Sequence, residues 1–184
     1  MLNSFAQFDL NILLYVQEHF RTEALTFWMQ QITSLGSALL AAIAIWIIIK
    51  GSRKGRLFGI TIVTSVLIEV AIVNGFLKNV IARTRPYETC NELLPAIDVL
   101  SDYSFPSGHT ALAFALAFVF YRHLPQKFGV PAIIIASLVG LSRVQLGVHY
   151  LSDVIGGIVC AYIAVRIAEH LIEKYYLKKS KNNM

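Results

Sequence analysis

The sequence predicts an all-α fold, a polytopic membrane bundle of about five transmembrane helices with an N-terminal interfacial helix. Three observations support this prediction. Of the 184 residues, 56% are hydrophobic and only 15% are charged, whereas soluble domains contain roughly 45–50% apolar residues. The mean hydropathy is +0.61. The apolar residues also collect in long stretches separated by short polar connections. This composition excludes a soluble domain, and we expect no nucleic-acid partner.

The elements follow from the order of these stretches. Residues 5–20 mix Asp9, Asn11 and Gln17 with apolar side chains, a pattern typical of a helix lying in the membrane interface. A transmembrane helix needs about 20 apolar residues to cross about 30 Å of hydrocarbon. The third and fourth predicted spans are shorter, which indicates tilt or burial among the others. The five predicted spans cover residues 25–49, 57–80, 109–121, 130–141 and 151–172.

The chain contains no internal repeat and no linker long enough to divide it. We therefore predict one membrane-embedded domain over residues 1–184. Its parts are an interfacial helix within 1–24, a transmembrane core in 25–172 and a basic cytoplasmic tail in 173–184.

The distribution of Lys and Arg residues predicts the orientation of the bundle. Ten of the sixteen lie in the first connection between spans, in the third connection and in the C-terminal tail. Positive charge is enriched on the cytoplasmic side of membrane proteins. Five crossings put all three segments on that side, with the N terminus outside and the C terminus inside. The ten residues are Lys50, Arg53, Lys54, Arg56, Arg122, Lys127, Lys174, Lys178, Lys179 and Lys181.

Three motifs are predicted to lie on the opposite, outer side. Lys78 and the Arg85-Pro86 pair form K-x6-R-P at the outer end of the second span, and residues 106–109 read P-S-G-H at the start of the third. Ser142 begins the pattern S-R-x5-H-x3-D between the fourth and fifth spans. The predicted topology therefore brings all three motifs to one face.

The first chemical signal is a set of cations, Lys78, Arg85 and Arg143, from three separate connections. Cations that converge without neighbouring carboxylates favour an anion, and the Arg guanidinium matches phosphate with two parallel hydrogen bonds. The alternative is that each cation anchors the span end by reaching to a lipid headgroup.

The second signal is the P-S-G-H motif. Ser107 stands at the N-cap position of the third span, and Gly108 lets a ligand approach the backbone. The free N–H groups of the first helical turn then form an anion seat. A simple helix cap is the alternative, but His109 adds a proton donor that faces the same volume.

The third signal is the pair His149 and Asp153, which are four residues apart and so share one helix face. When a carboxylate holds one ring nitrogen of a histidine as a hydrogen-bond donor, the other ring nitrogen keeps a free lone pair. That nitrogen can act as a nucleophile or a base. The alternative is a hydrogen bond at a helix start with no chemistry.

Together the segments KNVIARTRP, PSGH and SRVQLGVHYLSD resemble the type 2 phosphatidic acid phosphatase superfamily. The chain is similar to its small bacterial members, which act on undecaprenyl diphosphate, phosphatidylglycerophosphate and related lipids. Membrane members commonly cross six times, whereas here the interfacial segment replaces the first crossing. The resemblance implies a phosphatase domain in a bacterial inner (cytoplasmic) membrane, with the active site facing the periplasm or exterior.

The resemblance also implies the residue roles. His149 attacks phosphorus and forms a phosphohistidine, Asp153 orients its ring, and His109 protonates the leaving oxygen and later activates water. No cofactor and no metal are expected, because three cations do the work of a divalent metal; zinc ligation by His109, His149 and Asp153 is the alternative. The implied phosphate-binding residues are Lys78, Arg85, Ser107, Gly108 and Arg143.

The favoured function is removal of the terminal phosphate of undecaprenyl diphosphate. Phosphatidylglycerophosphate and phosphatidic acid are alternative substrates, and a lipid transporter or flippase is the alternative from another class. Glu69 stands nine positions before Lys78. At about 100° and 1.5 Å per residue, that puts it on the opposite face and ~13 Å deeper. We therefore expect it to lie outside the site. The acidic loop within residues 83–105 is expected to be a solvated cover, and discrimination among headgroups is the alternative.

Overall fold

The computed structural model describes residues 4–50 and 52–182. This part of the chain is helical and contains no strand, so the all-α prediction is confirmed. Some residues of the predicted domain lie outside the described part: residues 1–3, Gly51 in the first basic connection, and residues 183–184. The helices are α1 Ser4–Phe20, α2 Glu23–Ile49, α3 Arg53–Val70, a π-helix Ala71–Leu77, α4 Lys78–Ile81, α5 Pro86–Thr89, α6 Gly108–His123, α7 Gln126–Gln145 and α8 Leu151–Asn182.

Four helical segments in the described part are long and apolar enough to cross a membrane. The predicted third span corresponds to α6, which has only 16 residues. At 1.5 Å per residue it covers about 24 Å, less than the hydrocarbon core. The protein is thus a multi-pass membrane protein, while the count of five crossings stays a prediction. The four segments are Glu23–Ile49, Gly55–Thr89, Gln126–Gln145 and Leu151–Tyr175.

The short helix α6 is the centre of the bundle and packs against α2, α3, α7 and α8. Its alanines at 111, 113, 115 and 117 are fully buried, because small side chains let neighbouring helices approach closely. Phe120 meets Phe58 of α3 edge to face, with ring centroids 5.3 Å apart. The P-S-G-H motif at the start of α6 is therefore held by the packed core.

Helix α1 confirms that residues 5–20 are helical, and it lies against the bundle. Leu10 and Leu13 are buried in a cluster with Val144, Tyr150 and Val154. This packing fixes one face of α1, and its location in the membrane interface stays a prediction. Large apolar side chains on its other positions are exposed: Phe8, Tyr15 and Phe20.

The second predicted span is interrupted near its C-terminal end. The α-helix α3 gives way to the π-helix Ala71–Leu77, which leads into the single turn α4. At Ala82 the backbone is left-handed, with φ 46° and ψ 41°, a conformation that is costly for a residue with a Cβ atom. The chain therefore reverses sharply between Lys78 and Arg85, two of the predicted site residues.

A glycine fixes the contact between α8 and the P-S-G-H motif. A Cβ atom on Gly157 would lie 2.7 Å from the carbonyl oxygen of Ser107 and 3.2 Å from the nitrogen of Ala111. The Ser107 N–H also donates to the Asp153 carbonyl at 3.0 Å. Close approach at Gly157 therefore sets the distance between two of the motifs.

We expect Gly157→Ala to lower the free energy of unfolding by about 1–3 kcal/mol, because the added methyl group overpacks against a backbone that cannot move aside. Thermal unfolding of the detergent-purified protein measures this. Gly75→Ala is the matched control, because its Cβ would meet nothing nearer than the Val70 carbonyl at 4.0 Å. Equal unfolding temperatures for the two variants would contradict the prediction.

Candidate active site

The three motifs meet at one cavity of about 450 Å³. The reversal at Ala82 brings Arg85 back beside Lys78, and these two residues form one side of the cavity. The N terminus of α6 and the loop before α8 form the other sides. The predicted site residues that line this cavity are Lys78, Arg85, Gly108, His109 and His149.

Arg143 reaches the site from the end of α7 and lines an adjoining cavity together with His109. It is 2% exposed. One of its terminal nitrogens donates to Oγ1 of Thr33 at 3.1 Å, whereas its Nε and the other terminal nitrogen have no hydrogen-bond partner. Buried guanidinium N–H groups without partners are costly, so this part of the site fits an anion.

Lys78 and Arg85 are both paired with one carboxylate, that of Asp102. Arg85 also donates to the carbonyl oxygens of Asp102 at 2.8 Å and of Val148 at 2.7 Å. Partial burial opposes ionisation of Asp102, but the hydrogen bonds and charges of Lys78 and Arg85 outweigh it and lower its pKa to about 2. An acidic loop residue thus occupies the seat predicted for phosphate.

His149 is almost completely buried between a cation and a carboxylate. Its Nε2 lies 3.5 Å from a terminal nitrogen of Arg85, and its Nδ1 lies 3.5 Å from Oδ2 of Asp153. Burial is the largest influence on the imidazole; it outweighs Asp153, which favours the charged form, and lowers the pKa of His149 to about 4. The ring is therefore neutral at physiological pH, as a nucleophile requires.

Asp153 is held by groups that sequence reasoning did not assign. Its carboxylate accepts hydrogen bonds from Oγ of Ser104 at 2.5 Å, from the N–H of Tyr150 at 2.9 Å and from Arg83 at 2.6 Å. Arg83 lies inside the K-x6-R-P motif, two residues before Arg85, and this proximity is the only signal that could have found it. Asp153 is thereby fixed in orientation behind His149.

Ser107 occupies the predicted N-cap position of α6, but its side chain caps no backbone N–H group. Its hydroxyl instead accepts a hydrogen bond from Oγ1 of Thr110 at 2.9 Å, and the residue is fully buried. Its role in phosphate binding stays a prediction. At Gly108 a Cβ would find only Oδ1 of Asn74, at 3.6 Å, so this part of the backbone is open to the cavity.

The expectation that Glu69 lies apart from the site was wrong. Glu69 is buried, lines the same cavity as Lys78 and His149, and has an Oε2 atom without a hydrogen-bond partner. The reason is the π-helix Ala71–Leu77 between the two residues. Its i→i+5 hydrogen bonds turn each residue through a smaller angle than an α-helix does. Glu69 and Lys78 therefore face the same volume.

Buried cations surround a neutral imidazole in a bundle of apolar helices, so the protein is a membrane protein whose cavity fits an anion. The chain belongs to the PAP2 superfamily, whose sequence pattern matches residues 57–176.

Two of the known proteins that resemble the chain are undecaprenyl-diphosphatases. An undecaprenyl-diphosphatase of Sulfolobus acidocaldarius is 36% identical over 114 residues, which are 62% of this chain and 53% of that protein. Undecaprenyl-diphosphatase BcrC of Bacillus subtilis is 33% identical over 168 residues, 78% of this chain and 81% of that protein. The match to the Sulfolobus protein spans only about half the length of that relative.

The fold is also similar to a solved structure, the transmembrane PAP2 type phosphatidylglycerolphosphate phosphatase from Bacillus subtilis. The TM-score is 0.71 at 28% sequence identity, and the match covers 94% of this chain and 88% of that one.

We expect Asp102→Ala to strengthen the binding of inorganic phosphate by about 10-fold, which corresponds to about 1.4 kcal/mol, because the variant frees Lys78 and Arg85 from their internal anion. With its pKa near 2, Asp102 loses its charge only as the pH falls toward that value. The gain should therefore be constant from about pH 5 to about pH 8.

Calorimetric titration of phosphate into the purified protein measures this effect. Glu92→Ala removes an exposed carboxylate from the same loop and is the matched control. The same phosphate affinity in both variants would show that Asp102 does not compete for the seat.

Proposed function

We propose that the protein is a metal-independent lipid phosphatase that removes the terminal phosphate of a membrane lipid through a phosphohistidine at His149. The observation that carries the proposal is the buried, neutral imidazole of His149 beside the guanidinium of Arg85. A neutral nucleophile next to fixed cations is one arrangement that supports phosphoryl transfer.

The reaction proceeds in two displacements. When the phosphate binds, its negative charge favours the protonated imidazolium of His109. The lone pair of His149 Nε2 attacks phosphorus in line, the bond from phosphorus to the lipid-side oxygen breaks, and protonated His109 gives that oxygen a proton. Asp153 stabilises the positive charge that develops on the imidazole. His109, now neutral, then takes a proton from water, which attacks the phosphohistidine and releases inorganic phosphate.

The phosphoryl oxygens bind to the groups that converge on the cavity. The unpartnered N–H groups of Arg143 point to this role, and the substrate phosphate takes the place of the Asp102 carboxylate on Lys78 and Arg85. Fixed cations stabilise the charge on the equatorial oxygens without reorganisation during the reaction. The backbone N–H of Gly108 and the Ser107 position complete the seat.

An apolar groove beside the cavity is the proposed binding site of the lipid chain. This groove, of about 370 Å³, lies between α2, α3 and α6 and shares Ser37 and Leu112 with the catalytic cavity. A phosphate held in the cavity therefore leaves its chain in the groove. Side chains such as Ala41, Ile45 and Val66 line the groove.

Undecaprenyl diphosphate is the favoured substrate, because two similar proteins carry the name undecaprenyl-diphosphatase. Phosphatidylglycerophosphate and phosphatidic acid are the alternatives, the first supported by the name of the structural relative. The distribution of basic residues along the chain supports a site on the periplasmic or exterior side of a bacterial inner membrane.

We expect His149→Ala to reduce phosphate release from undecaprenyl diphosphate by at least about 10³-fold, because the nucleophile is removed. Inorganic phosphate binding should persist, since Lys78, Arg85 and Arg143 remain. Phosphate release by purified protein, compared across undecaprenyl diphosphate, phosphatidylglycerophosphate and phosphatidic acid, measures both activity and preference. A variant that keeps its activity would show that His149 is not the nucleophile. A wild-type protein that binds these lipids without releasing phosphate would favour a transporter or lipid-binding protein instead.

We expect full phosphatase activity in excess chelator, because fixed cations stabilise the phosphoryl charge. The measurement is phosphate release before and after exhaustive chelation. Loss of activity that one specific divalent metal restores would reject the metal-independent mechanism.

A further inference from the structure

A series of ion pairs runs behind the site, from the N-terminal helix to His149. Arg83 donates to Oδ1 of Asp153 at 2.6 Å and to Oδ2 of Asp9 at 2.9 Å. The other oxygen of Asp153 faces His149 Nδ1 at 3.5 Å. The side chains of Asp9 and Asp153 are 4% and 0% exposed, so water screens these charges little.

Arg83 and Asp9 are fixed by further contacts. The Ser152 N–H donates to Oδ1 of Asp9 at 3.2 Å, and the Ser152 hydroxyl donates to Oδ2 of Asp9. The same hydroxyl accepts a hydrogen bond from Arg83 at 2.6 Å. The guanidinium also stacks on the ring of Tyr150, 3.8 Å from its centroid. Arg83 is therefore held in one orientation.

Attachment of α1 to the bundle does not by itself require a carboxylate. Leu10 and Leu13 already pack against the ends of α7 and α8. A buried charge is costly unless it is paired, and Asp9 is a buried carboxylate on the packed face of α1. Its electrostatic effect is to share the charge of Arg83 between two carboxylates. Without it, that charge would act on Asp153 alone.

We propose that Asp9 is a positioning residue for phosphoryl transfer, acting through Arg83 on the Asp153 carboxylate that orients His149. The inference rests on the proposed function, because it takes His149 as the nucleophile. It makes the N-terminal helix part of the catalytic machinery, although α1 contributes no group that touches the substrate.

The signs of the charges give a test that structural damage alone would not mimic. At low pH, kcat/KM falls as the imidazole of His149 becomes protonated, and this fall is the acid limb of the pH profile. Asp9→Asn removes a negative charge and disfavours the imidazolium, so the acid limb moves to lower pH. Arg83→Gln removes a positive charge and moves this limb to higher pH. The other charged or titratable groups that face His149 are the same in both variants: Asp153, Arg85, Arg143 and His109.

The experiment measures phosphate release from undecaprenyl diphosphate in detergent micelles as a function of pH. For Asp9→Asn we expect kcat to fall by about 10-fold to 100-fold, the effect of a displaced catalytic group, with KM unchanged. Asp9→Glu keeps the charge and should restore the acid limb. Glu18→Gln removes an exposed carboxylate from the same helix and should behave as wild type.

If Asp9→Asn has the kcat and the acid limb of the wild type, the inference is overturned and the proposed function stands. If the wild-type protein has no phosphatase activity, the proposed function and the inference are both overturned. If Asp9→Asn does not fold, the double variant Asp9→Asn/Arg83→Gln decides, because it leaves no unpaired ion. Its acid limb should lie between those of wild type and Arg83→Gln. A limb that coincides with Arg83→Gln overturns the inference.

Discussion

The site depends on one electrostatic constraint, the burial of Lys78, Arg85 and Arg143 in the same part of the protein. Each buried ion loses several kcal/mol of hydration, and like charges repel. Hydrogen bonds and ion pairs with Asp102, backbone carbonyls and the Thr33 hydroxyl offset part of this free energy. Two guanidinium nitrogens of Arg143 remain without hydrogen-bond partners. A tetrahedral oxyanion with several acceptor atoms would satisfy donors that a single carboxylate does not reach.

The sequence was sufficient to predict the helical class, four of the apolar spans and five of the residues that line the cavity. These features depend on long apolar stretches and on motifs with fixed spacing, which are local signals. The π-helix Ala71–Leu77 has no such signal, since the segment AIVNGFL is as compatible with a regular α-helix. An extrapolation at constant angle from Glu69 to Lys78 therefore failed, although the apolar span itself was found.

The contacts between distant residues could not be predicted for a different reason. Asp9 pairs with Arg83, 74 residues away, and Asp102 pairs with Lys78, 24 residues away. A single carboxylate in a polar segment gives no information about its partner. Ser107 illustrates the same limit at short range, because its position as N-cap was predicted correctly while its hydroxyl bonds to Thr110. Tertiary packing decides which of several possible partners a polar group takes.

The attachment of Asp102 to the phosphate seat has a consequence for turnover. Because this carboxylate belongs to the chain, its effective concentration at the cations is high, on the order of millimolar for a short tether. After hydrolysis, inorganic phosphate must therefore compete with an anion that never diffuses away. Under the proposed function, Asp102 is therefore an internal ligand that exchanges with phosphate. It would weaken the retention of released phosphate by the buried cations and keep these cations paired until the next lipid binds.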